Sequence, residues 1–259
     1  MHKPAAADGK TLPELKAEHR PQPPARGPPR SEASEQKGVR NYVRDLILGF
    51  NDGVVSVYAA CAGVAGAALG SDVVGVAGVA AGVAGALSMG LGEYISTKSQ
   101  TQYYEAEARR ERDHIRAYPQ LETEELKEMM AEKGYPAAVQ GELVRHLTAN
   151  EDRFVEWMMR EEFGVGKESA RSPVRAMLVI ALAFIVGALL PVLPFFLAPA
   201  DMALAAASVV SVAGLFAAGW AKARVAGLPP LQSGLEMAVL GSLAALVTYG
   251  VGTLFGVVV

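Results

Sequence analysis

Cysteine is all but missing from this 259-residue chain. Cys61 is the only one, which rules out a disulfide within the chain and argues against a thiolate metal cluster. Charge is missing too, but only locally: a fifth of the residues are charged, yet five stretches carry almost none. They run from Leu46 to Leu69, Val73 to Leu91, Val174 to Leu197, Met202 to Ala221 and Leu235 to Val259. Each approaches or exceeds the ~20 residues that cross a ~30 Å hydrocarbon core at 1.5 Å per residue. None has the polar face that a helix on the surface of a soluble protein needs. The expected fold is therefore an all-α integral membrane protein with five transmembrane helices. Residues 1–36 are not expected to be a secretory signal, because they are rich in Pro, Ala and charge with no apolar centre; they read as a disordered cytoplasmic tail.

Orientation follows from where Lys and Arg are absent. The connections Gly70-Ser71-Asp72 and Pro191 to Asp201 have neither, whereas Arg30, Lys37, Arg40 and Arg44 precede the first span, and Lys222 and Arg224 lie between the fourth and fifth. The positive-inside rule places the N-terminus, the segment between spans two and three, and the fourth-to-fifth connection in the cytoplasm. The expected divisions are a tail (1–36), spans one and two (37–93), a cytoplasmic helical domain (94–172) and spans three to five (173–259). Lys222, Arg224 and Glu236 read as interfacial anchors. No nucleic-acid partner is expected.

The segment Tyr94 to Ser172 holds sixteen acidic and twelve basic residues. Ser99 to Arg116 lacks Gly and Pro, and so continues the second span as helix until Pro119. Glu122 to Lys133 reads as a helix closed by Gly134, and Pro136 to Phe163 supplies one or two more before Gly164 and Gly166. Spacings of three or four put Glu111 with His114, Glu122 with Glu125, and Met158 and Met159 with Glu162 on shared helix faces, within reach of a common ion. A charge run is usually a solvated face, and the methionines serve equally well as core packing. Read as ligands, thioether beside carboxylate suits Fe²⁺-like ions and not Mg²⁺ or Ca²⁺. Glu111-x-x-His114 is half of a di-iron carboxylate motif, but the facing candidates Glu142 and His146 have spacing four, which argues against a complete di-iron centre.

Within the membrane the anomaly is Asp52, an acid whose place in a helix core costs about +2.5 to +3.5 kcal/mol on insertion scales and so marks an ion or proton path. Met89 near the end of the second span lies at a matching depth, counted by helix rise from Leu46 and Glu93. Gly75, Gly78, Gly82 and Gly85 let that helix pack closely. One carboxylate and one thioether are too few ligands for a dehydrated divalent ion, so this reading requires a homodimer that doubles them about a two-fold axis. Facing carboxylates would share a proton until a cation displaced it, which couples metal to proton movement.

The run Arg44-Asp45-Leu46-Ile47-Leu48-Gly49-Phe50-Asn51-Asp52-Gly53 and the run from Gly85 to Ser96 resemble those of the vacuolar iron transporter family, and the likeness extends from about residue 40 to 259. It implies a homodimeric iron–proton antiporter that removes Fe²⁺ from the cytosol, with Mn²⁺, Co²⁺ or Zn²⁺ as further cargo. Such a chain is a transporter and not an enzyme, with no permanently bound cofactor. It implies that Asp52 and Met89 line the path between protomers and that Asp45 lies near its cytoplasmic mouth; Glu93 is taken with them as a pathway residue. In the central domain it implies a metal-gathering set of Glu111, Glu122, Glu125, Met158, Met159 and Glu162, with His114 where the family usually has glutamate. Ala81 stands where many relatives carry glutamate, which bears on proton stoichiometry. The membrane implied is a bacterial cytoplasmic membrane from the Ala, Gly, Val and Arg usage, or a vacuolar one in a eukaryote. The competing function is a membrane-anchored iron store or iron oxidase in which the central domain does the work.

Overall fold

The computed structural model describes residues 30–164 and 171–256, and every regular element among them is an α-helix. In chain order these are α1 (Arg30–Gly66), α2 (Ser71–Ala117), α3 (Pro119–Glu132), α4 (Ala137–Thr148), α5 (Glu151–Glu161), α6 (Pro173–Val192), α7 (Pro194–Leu197), α8 (Ala200–Ala226) and α9 (Pro230–Gly256). Five are long and apolar enough to cross a bilayer: the part Tyr42–Gly66 of α1, then α2, α6, α8 and α9. The protein is an integral membrane protein with five spans.

At 47 residues α2 is ~70 Å long, more than twice the hydrocarbon thickness. Its apolar part ends near Leu91, and the polar remainder continues unbroken, as the lack of Gly and Pro from Ser99 to Arg116 predicts. Tyr118 ends it and Pro119 opens α3, where a missing N–H costs nothing. Gly134 turns the chain after α3 with φ +76°, a left-handed conformation that a side chain disfavours. The Asn150 side chain accepts from the Arg153 N–H at 2.9 Å and starts α5. Gly166, expected to help end this region, lies outside the described residues.

Two expected boundaries differ. The first helix is described from Arg30, so residues 30–36, assigned from sequence to the tail, are helical: Ser, Glu, Ala and Gln there are tolerated in helix. The rest of the expected tail, residues 1–29, lies outside the described residues. The stretch from Val174 to Leu197 is two helices, not one. Pro194 cannot continue the hydrogen-bond ladder, and α6 stops at Val192 before the single turn of α7.

Lipid supplies no hydrophobic drive between spans, so close backbone approach has to hold them together. Gly49 and Gly53 of α1 lie against the carbonyls of Ile180 and Phe184 in α6, and Gly187 of α6 lies against the Phe50 carbonyl of α1. The glycines of α2 behave as predicted: a methyl at Gly78 would stand 2.6 Å from Cys61 Sγ, and one at Gly85 would strike the Phe184 ring. Around them Val57, Cys61, Val74, Ala86, Phe184 and Ala188 form the membrane core. The outward faces of α2 and α9, with Val76, Val83, Leu87, Leu243 and Leu246 exposed, suit lipid. Beyond Leu91, α3, α4 and α5 close on α2 around Leu126, Met130, Val144, Leu147, Phe154 and Val155.

Gly53→Ala should lower stability by about 1–3 kcal/mol, since its methyl meets backbone that cannot yield. Gly141→Ala, on α4 with open space around it, should be neutral or slightly stabilising. Thermal unfolding in detergent reads both; equal midpoints for the two variants would refute the packing account.

Candidate metal site and translocation path

The acids singled out on α2 and α3 do meet. Glu111 and Glu122 are both buried, and the Glu122 carboxylate lies close enough to act on the Glu111 carboxyl. His114 Nδ1 stands 3.8 Å from Glu122 Oε1 at a more open position. Glu125, half-buried, and Glu162, on the exposed rim after α5, complete the group through their charges. All lie outside the membrane: Glu111 is ~30 Å along α2 beyond Leu91. Burial, reinforced by the carboxylates of Glu122, Glu162 and Glu125, pushes the Glu111 carboxyl up to about 7. Glu122 and Glu162 are also raised, by burial first and then by Glu125.

The scaffold beneath this group is ionic. Arg116 grips Glu151 with both Nε and Nη2, at 3.1 and 2.8 Å, and Arg112 reaches Asp152 at 2.8 Å, fixing the start of α5 to α2. Lys133 pairs with Glu161 at the other end of α5. Met158 and Met159 are thereby held fully buried in the apolar cluster of the insert, where packing alone accounts for them. His146 contacts Arg153 instead of facing Glu111, so it offers no second half of a di-iron motif.

One oxygen of the group is left over. Glu111 Oε1 is buried without a hydrogen-bond partner, a condition that proteins rarely leave uncompensated. Among the described residues no three His, Cys, Asp or Glu side chains converge tightly enough to chelate one ion. The group is an acid cluster with one unpartnered oxygen and not a closed coordination shell. Sequence reasoning missed Glu107, whose charge acts on Glu162; it stands one turn before Glu111 on α2, and extending the three-four spacing backwards finds it.

Within the membrane, Asp52 is half-buried, and the Ser56 hydroxyl donates to its backbone carbonyl at 2.6 Å. Met89 is half-buried against the membrane core. Asp45 and Glu93 are joined by a residue that sequence reasoning passed over. Arg171 Nη2 donates to Asp45 Oδ2 at 2.6 Å and to Glu93 Oε1 at 2.9 Å. No local pattern announces it, for its partners are 126 and 78 positions away.

These features define a polytopic helical membrane protein with an acid-lined helical insert on an extended second span. Residues 43–253 match the model of the VIT family. Among similar proteins, vacuolar iron transporter 2 of Oryza sativa subsp. japonica is 38% identical over 209 residues, covering 80% of this chain and 85% of its own. Vacuolar iron transporter 1 of Arabidopsis thaliana is 37% identical over 204 residues, 78% of this chain and 82% of its own. The vacuolar iron transporter of Toxoplasma gondii is 36% identical over 230 residues, 85% and 76%. The chain belongs to the VIT family.

A raised carboxyl has a stability signature. Between its ordinary value near 4.5 and about 7, the unfolded chain releases the Glu111 proton while the folded chain keeps it, so stability is full below that window and declines as pH rises through it. The decline should be of order 3 kcal/mol by pH 8 in metal-free protein. Glu111→Gln should flatten it. Thermal unfolding from pH 4.5 to 8 is the measurement, and a wild-type slope that persists in the variant would assign it to another group.

Proposed function

We propose that this protein moves Fe²⁺ across a membrane, with Mn²⁺ as further cargo, as a proton-coupled homodimer. The observation that carries the reading is the buried Glu111 oxygen without a partner, set among carboxylates whose charges oppose one another. A divalent cation is the partner that such a group lacks, and the relatives are named iron transporters. Glu111, Glu122, Glu125 and Glu162 gather the ion, His114 contributes an imidazole nitrogen at the rim, and the Met158 and Met159 thioethers lie beneath as softer donors that favour Fe²⁺ over Mg²⁺. Glu111 gives up its proton when the ion arrives, so capture competes with protons near neutral pH.

From the insert, which this reading places in the cytoplasm, the rod of α2 leads to Glu93, Asp45 and Met89. Asp52 offers the carboxylate within the bilayer. A single protomer leaves Asp52 half-buried, and a second copy across a two-fold axis would bring a second Asp52 and a second Met89 to the same ion. Two facing carboxylates that exchange a shared proton for the metal supply the coupling. The activity is transport and not catalysis. By analogy with the named relatives the membrane would be vacuolar in a eukaryote; the cytoplasmic membrane is the bacterial counterpart.

Proteoliposomes loaded by an imposed pH gradient test this directly. Wild type should accumulate Fe²⁺, and Asp52→Asn should reduce the initial rate at least tenfold. Glu111→Gln with Glu122→Gln should raise the apparent KM and leave the maximal rate largely intact. Uptake indifferent to Asp52 would defeat the transport path, and iron oxidation or storage by the full chain without uptake would favour the anchored alternative.

A further inference from the structure

Asp45 and Glu93 are served by a single nitrogen. Arg171 Nη2 bridges them, one carboxylate from α1 and one from α2, at 2.6 and 2.9 Å. The Thr97 hydroxyl donates to the same Glu93 oxygen at 2.9 Å and holds it in place. Asp45 is completely buried, yet its Oδ1 has no hydrogen-bond partner; Arg44 Nε approaches only to 3.7 Å. Arg171 Nε is buried and unpartnered as well. The guanidinium also faces the Tyr42 ring, 5.9 Å to its centroid.

A guanidinium usually meets a carboxylate fork to fork, with two nitrogens on two oxygens. Here one nitrogen spans two carboxylates, the place a bridging divalent ion would take, with oxygens drawn in to about 2 Å. Such an ion carries twice the charge of the guanidinium, and Asp45 Oδ1 is free to join it. Arg171 also precedes the N-cap Ser172 of α6, so it can withdraw without unwinding a helix. Monovalent ions offer no such gain over a guanidinium already bonded to both acids.

We propose that Arg171 is a tethered cation plugging a divalent-metal site formed by Asp45 and Glu93, and that each transported ion displaces it. The idea rests on the transport reading above and makes Arg171 a gating and selectivity residue, not a ligand. Two measurements on the full chain test it. Mn²⁺ titration followed by electron paramagnetic resonance should find one more bound ion per protomer in Arg171→Gln than in wild type. The added ion should vanish in Asp45→Asn/Arg171→Gln. In proteoliposomes Arg171→Gln should lower the apparent KM for Mn²⁺ about fivefold or more with little change in maximal rate. An unchanged Mn²⁺ count, an added ion that survives Asp45→Asn, or a fall in maximal rate without a fall in KM would each overturn the plug. Should Arg171→Gln fail to fold, Arg171→Lys keeps the charge but loses the planar fork and should show a smaller fall in KM; no fall overturns the proposal. An added ion in Arg171→Gln together with no uptake by wild type would retain the plug and reject transport.

Discussion

A carboxylate taken out of water has to be given a cation or a proton, and the polar architecture of this protein is organised by that requirement. Three answers appear along one rod of helix and its neighbours. Asp45 and Glu93 hold a permanent cation, Arg171. Burial and the neighbouring carboxylates push the Glu111 carboxyl up to about 7, so that it holds its proton more tightly than a free acid does. Asp52 stays half-buried, and among the described residues no cation pairs with it. On the proposed function, each answer leaves an acid that a divalent ion would serve better.

The glycines make those positions possible. Where Gly49, Gly53 and Gly187 bring α1 and α6 into backbone contact, the helix bearing Asp45 and Asp52 is fixed against the helix whose first residues follow Arg171. Bulkier residues there would separate the spans by a methyl or more, enough to break a 2.6 Å hydrogen bond between Arg171 and Asp45. The same logic holds on α2, whose glycine face lies on Cys61, Ala188 and Phe184. Small residues in the membrane thus set the geometry of charged residues at its edge.

Much of the fold was legible in the sequence because it depends on local quantities. Long uncharged runs fix five spans, and Pro119, Gly134 and the Pro-free stretch from Ser99 to Arg116 fix the helix ends of the insert. The third span was legible as well, but its end was not fixed by hydropathy, which runs on to Leu197 without registering the N–H that Pro194 lacks. Residues 30–36 misled for the opposite reason: polarity suggests a tail, while Ser, Glu, Ala and Gln remain acceptable helix formers. In the site, pairs at spacing three or four were visible because helix geometry is local. That Glu111 meets Glu122, or that Arg171 meets Asp45, is a tertiary fact with no footprint in spacing.

The methionines show how far composition alone can carry a chemical claim. Met158 and Met159 fill a core with Phe154, Val155 and Leu126, so their burial is explained without any metal. What composition does not explain is why the acids, and not further apolar residues, close the top of that core. Replacing Glu111 by Leu would remove a buried oxygen without a partner and the repulsion of three neighbouring carboxylates, both of which oppose folding. On the proposed function, that cost to the insert's stability is offset where a doubly charged ion binds in place of the proton. On the proposed function the same exchange recurs at each step: the proton on Glu111, the guanidinium on Asp45 and Glu93, and the shared proton between two Asp52 side chains are each placeholders. Their binding has to be strong enough to keep the acids buried and weak enough for the metal to displace them.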